Sequence, residues 1–143
     1  MRIVSLLPGA TETLFALGVG DQVVGVSHEC DFPETAARLP RLTRSTLNLD
    51  GLDGGEIDRR VTEAAHRGDA LYEVDLERLL DLQPDLIVTQ DVCEVCAVPG
   101  RLVEGAVGKA RILRQHPHTL DDVIDGIGER LTQLAARQLW WND

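Results

Sequence analysis

Two hydrophobic periods alternate along this chain. The run Ile3-Val4-Ser5-Leu6-Leu7 is almost unbroken in its apolar character, which predicts a strand over 2–7 with both faces covered. Pro8-Gly9-Ala10-Thr11 then predicts a tight turn, followed by a short helix over 12–17 that stops at Gly18. In this reading Thr11 caps the helix and Glu12 sits at the positive end of its dipole. Val23-Val24-Gly25-Val26-Ser27 predicts a second strand, closed by the polar loop His28-Glu29-Cys30-Asp31-Phe32-Pro33. Two strands around one helix imply parallel pairing through a right-handed crossover.

The stretch 41–55 is rich in Gly, Asp, Asn and Ser and reads as an irregular connection. Ile57, Val61, Ala64 and Ala65 recur at helical spacing and predict a helix over 56–66. A minor strand is expected at 71–74, after which Asp75 caps a helix over 76–82 and Pro84 ends it before Leu86-Ile87-Val88. Beyond a loop at 91–100, the pattern predicts a helix over 102–107 and a last strand at 111–113. Thr119 then caps the apolar positions Leu120, Val123, Ile124, Ile127, Leu131, Leu134 and Ala135, a helix to about 139 that would be roughly 30 Å long. The expected fold class is α/β, a Rossmann-like parallel sheet flanked by helices and ending in one long helix. No internal repeat, low-complexity tract or flexible linker divides the chain.

Composition narrows the function classes. With 143 residues and 43% hydrophobic content, the chain suits one compact domain and has no apolar run long enough to span a bilayer. A net charge of −10 argues against a nucleic-acid partner, since phosphates would be repelled and no basic stripe collects the few Arg and Lys residues. The first residues enter a strand without a charged leader, and three cysteines are an odd count for a disulfide framework. By sequence the expectation is a cytoplasmic chain, or one whose export segment lies upstream. Enzyme signatures are missing: there is no GxxxxGK[ST], HExxH or GxSxG, and Gly18-Val19-Gly20 follows a helix instead of a strand.

In an open parallel sheet, ligands sit beyond the carboxyl ends of the strands. Three loops meet that condition: 8–12, 28–31 and 90–96, with the first strand expected between the other two. The candidate ligand-binding residues are therefore Pro8, Thr11, Glu12, His28, Glu29, Cys30, Gln90, Asp91, Cys93 and Cys96, together with Arg44, whose guanidinium suits a carboxylate or phosphate. Cys93 and Cys96 are spaced to share one soft metal ion, with Cys30, His28 and Glu29 approaching from the neighbouring loop. The same thiols also fit ordinary burial or redox chemistry, so a cytosolic metal-binding or thiol-redox domain is an alternative function. His66, His116 and His118 read as helix-end or turn residues.

The segments 2–12 and 24–33, with Asp75-Leu76-Glu77-Arg78-Leu79-Leu80 and Leu82-Gln83-Pro84-Asp85-Leu86-Ile87-Val88, resemble the solute-binding proteins of vitamin B12 and iron-siderophore ABC importers. The loop 89–98 is similar to a cobalamin-binding branch of that helical-backbone family. The resemblance implies two α/β lobes joined by a long helix, with the ligand in the cleft between them. Residues 1–118 would form the N-terminal lobe and 119–143 the start of the connecting helix, the second lobe being absent. It further implies a transported ligand, cobalamin or a ferric chelate, with no cofactor required, and an ABC permease as partner, on whose Arg residues Glu77 would dock. Described B12 binders embrace the corrin with aromatic side chains, which here number Phe15, Phe32, Tyr72, Trp140 and Trp141. A lone lobe would expose apolar surface on its long helix and self-associate. A truncated chain without independent function is the remaining reading.

Overall fold

Burial on both faces explains why the apolar runs become the centre of the structure, a computed structural model that describes residues 1–90 and 108–138. The central strands are β1 (Ile3–Ser5), β2 (Val23–Val26), β5 (Leu86–Gln90) and β6 (Arg111–Gln115), parallel and ordered β2-β1-β5-β6. Along β1, Ile3 faces one side with Leu86 and Val88, while Val4 and Leu6 face the other with Ile87. Helix α1 (Pro8–Ala16) covers the first side with Ala10 and Leu14, joined by Leu134 of the last helix, α5 (Leu120–Gln138). Helix α4 (Leu76–Asp81) covers the second with Leu79, beside Leu42. Each fully buried Leu, Ile or Val contributes about 1.5–3 kcal/mol, so this two-sided core dominates the stability. A parallel α/β lobe is what the patterning predicts.

Three boundaries differ from expectation for local reasons. No separate turn precedes α1: Pro8 is its first residue, where a missing N–H costs nothing, and Leu7 is the N-cap. Thr11 therefore lies inside the helix instead of capping it, and Glu12 falls beyond the first turn. Helix α3 (Gly54–Arg67) starts earlier than predicted because the Asp53 carboxylate accepts the Glu56 N–H at 3.0 Å, and it ends at Gly68 with φ of 73°. The supposedly irregular 41–55 contains β3 (Thr43–Ser45), which pairs antiparallel with β4 (Tyr72–Val74) in the register Thr43↔Val74, Arg44↔Glu73, Ser45↔Tyr72. Its three polar residues carry no apolar alternation, so only the distant partner reveals it. A short helix, α2 (Glu34–Ala37), and a 3-10 turn at Gly20–Gln22 complete the described elements.

The expected caps at Asp75 and Thr119 are present. Asp75 accepts the Arg78 N–H at 2.9 Å. At α5, Thr119 Oγ1 accepts the Asp122 N–H at 3.2 Å, while Asp122 Oδ2 accepts the N–H groups of His118 and Thr119, both at 2.8 Å. These reciprocal bonds satisfy donors that a helix start leaves open. Gln115 ties the end of β6 to α5, its side-chain N–H donating to the Gly126 carbonyl at 3.1 Å. Among the described residues no helix is long and apolar enough to cross a membrane. The helix expected at 102–107 lies outside the described residues.

Candidate functional site

Parallel strands bring their carboxyl ends to one edge, and that edge is where the sequence candidates are to be sought. The order β2-β1-β5 sets β1 between the other two, so Ser5, Val26 and Gln90, at their carboxyl ends, lie along one edge. Half-buried Pro8 opens α1 there, half-buried Gln90 ends β5, and Glu29 is exposed on the loop after β2. His28 is half-buried, its ring centroid 5.3 Å from that of Tyr72 and its Nδ1 2.7 Å from Thr43 Oγ1. Glu29 Oε1 comes within 3.1 Å of His28 Nε2, close enough for an ion pair, but off the line of a directed hydrogen bond.

Two candidates face inward and are corrected as ligand contacts. Thr11 is fully buried, and Cys30 is 1% exposed. Thr11 Oγ1 donates to Ser5 Oγ at 2.8 Å and lies 3.2 Å from Cys30 Sγ, which is also 3.2 Å from Ser27 Oγ. These four side chains form a buried polar cluster beneath the edge, where each group has a partner and none faces solvent. The inward turn of Cys30 also separates it from His28 and Glu29 as a metal ligand. Among the described residues no three His, Cys, Asp or Glu side chains are grouped to hold a metal ion. Asp91, Cys93 and Cys96 lie outside the described residues.

Arg44 and Glu77 line a cavity that also reaches Arg41 and Thr43. Arg44 is exposed on β3 and forms an ion pair with Glu73, its register partner on β4. Glu77 is exposed in the first turn of α4. With Arg44, Glu73 and Asp75 it lines this open cavity of about 510 Å³ between the antiparallel β3–β4 pair and α4. Glu12 is exposed on the second turn of α1. Sequence reasoning overlooked Thr43 and Arg41, both of which hold the loop after β2. Neither stands in a motif, and only the fold brings them to that loop.

An open parallel sheet with polar residues at its carboxyl edge is an architecture shared by many ligand-binding proteins. The sequence model of the periplasmic binding protein family matches residues 3–92, and the chain belongs to that family. It is 30% identical over 141 residues to the vitamin B12-binding protein of Vibrio cholerae, an alignment covering 94% of this chain and 38% of that protein. The crystal structure of the periplasmic vitamin B12-binding protein of Vibrio cholerae superposes with a TM-score of 0.59 at 24% identity, over 97% of this chain and 48% of that one. The apo periplasmic heme-binding protein of Roseiflexus sp. RS-1 gives a TM-score of 0.57 at 25% identity, over 91% and 40%. The chain thus spans less than half the length of each of these relatives.

Proposed function

We propose that this chain is the N-terminal lobe of the solute-binding component of an ABC importer, taking a corrinoid or iron chelate such as cobalamin or heme. The observation that carries the reading is that the carboxyl ends of β1, β2 and β5 lie along one edge of a parallel sheet, in a member of the periplasmic binding protein family. Relatives named for vitamin B12 and heme binding supply the ligand class. Pro8, His28, Glu29 and Gln90 form the described part of the ligand edge, and Asp91, Cys93 and Cys96, which follow Gln90 in the sequence, remain ligand candidates. Thr11 and Cys30 support that edge from below. The role is capture and delivery in the periplasm or at the cell surface, with no chemical step. The long helix α5 would carry the second lobe.

Glu77 is the proposed contact for the permease. It is an exposed carboxylate on a short, rigid helix, rimmed by exposed Leu76 and Leu80, and fits a basic side chain of the partner. The ligand assignment is tested by titrating the protein with cyanocobalamin, cobinamide and hemin and following their absorbance. Saturable binding of one of the three is the expected result. Binding of none removes the ligand class from the proposal.

A further inference from the structure

Residues 40–42 run beside the end of β2: the Val26 N–H donates to the Pro40 carbonyl at 3.0 Å, and the Leu42 N–H to the Val26 carbonyl at 2.9 Å. In this extended stretch Leu42 is fully buried in the core, so Arg41 and Thr43, its neighbours on either side, share the opposite face. Both reach the segment that leaves β2. Arg41 Nη1 donates to the carbonyls of Ser27 at 2.8 Å, His28 at 3.0 Å and Cys30 at 2.7 Å, while Nη2 donates to the Ala37 carbonyl at 3.1 Å. Thr43 Oγ1 accepts the backbone N–H of His28 at 2.9 Å.

We propose that Arg41 is the positioning residue of the ligand edge, folding the 27–30 segment around its guanidinium so that His28 stands against Thr43 and Tyr72. This inference rests on the reading of that edge as the ligand site. Three carbonyl oxygens gathered around one point repel one another, and the Cys30 N–H, which closes the turn on the Ser27 carbonyl at 3.2 Å, leaves the His28 and Cys30 carbonyls to Arg41. The two hydrogens on Nη1 are shared among three oxygens, and the guanidinium charge strengthens each of these bonds. Among the described residues no carboxylate lies within ion-pair distance of Arg41, so its charge is committed to the backbone and not to a salt bridge. Without it the oxygens separate, the turn opens, and His28 and Glu29 leave the edge together.

The test compares Arg41→Met, Arg41→Gln and Arg41→Lys by amide hydrogen exchange and by titration with cyanocobalamin and hemin. In Arg41→Met, exchange over 28–31 is expected to rise about tenfold or more, with core amides of β1 and β5 unchanged, and the Kd of whichever probe binds to rise about tenfold. Lysine keeps the charge with three donors, so Arg41→Lys is expected to recover most of both effects. Unchanged exchange over 28–31 in Arg41→Met overturns the proposal, as does a Lys variant no better than Met. If Arg41→Met does not fold, Arg41→Gln is read instead, and parent-like exchange over 28–31 in that variant overturns it. If the parent binds neither probe, the ligand reading fails, and exchange alone decides the role of Arg41.

Discussion

Thr43 holds His28 twice: its Oγ1 accepts the His28 backbone N–H at 2.9 Å and lies 2.7 Å from the ring Nδ1. The hydroxyl has one hydrogen to give and two lone pairs to offer, so it serves both His28 groups at once. Replacing Thr43 by Val keeps the shape and strands both His28 groups. The Thr43→Val variant is expected to lose about 1–3 kcal/mol in urea unfolding, with Thr43→Ser close to the parent. A Val variant of parental stability would show that the two bonds contribute nothing.

Close packing at Gly25 leads to a second prediction. A Cβ there would stand 2.8 Å from the Cδ1 methyls of both Leu42 and Leu82. Gly25→Ala is therefore expected to destabilise by about 1–3 kcal/mol through overpacking. Gly9→Ala, where a Cβ meets nothing within 4 Å, serves as the control and is expected to leave the melting temperature unchanged or slightly raised. Equal melting temperatures for the two variants would contradict the account.

The first two turns of α5 present Leu120, Val123 and Ile124 at 74%, 46% and 56% exposure, an apolar stripe at i, i+3 and i+4 spacing. Such a face draws the protein into concentration-dependent self-association. Sedimentation velocity is expected to show the parent shifting to heavier species as concentration rises, and the triple variant Leu120→Gln, Val123→Thr, Ile124→Gln to remain at one sedimentation coefficient. A parent that stays monomeric at every concentration would remove this prediction.

Asp122 supplies an acid-sensitive contact at the same helix. Its carboxylate accepts the backbone N–H groups of His118 and Thr119, and these bonds hold its pKa below the ordinary aspartate value. A depressed folded-state pKa means the added stability is fully present above the unfolded value near 3.8 and is lost as pH falls through the folded value below it. Glu56, bonded to Arg59 and Arg60, is lowered to about 2 and acts in the same direction between about 4.5 and 2. Asp122→Asn is expected to flatten the acid limb of the thermal stability profile below pH 4 and to leave it unaltered near neutrality in shape. An unchanged acid limb would rule out this contribution.

Much of the carboxyl edge of the sheet was legible in the sequence. Continuous apolar runs mark strands covered on both faces, and a parallel sheet must put the segments containing Pro8, His28 and Gln90 at one edge. What could not be read was the direction in which a side chain turns. Thr11 and Cys30 have the composition of site residues, yet they bond to each other below the surface, 19 residues apart in the chain. Arg44 looked like an anion receptor and is engaged by Glu73 across an antiparallel strand pair.

The sequence by itself determined the strands at the centre of the sheet, the caps at Asp75 and Thr119, and the long terminal helix. These depend on groups within a few residues of one another, so their physics is local. Tertiary structure decided that the polar stretch Thr43–Ser45 becomes a strand, that Cys30 is sealed inward, and that Arg41 closes the turn after β2. Each of those outcomes requires a partner that only the folded chain delivers, because hydrogen-bond partners must meet within about 3 Å regardless of their separation in sequence.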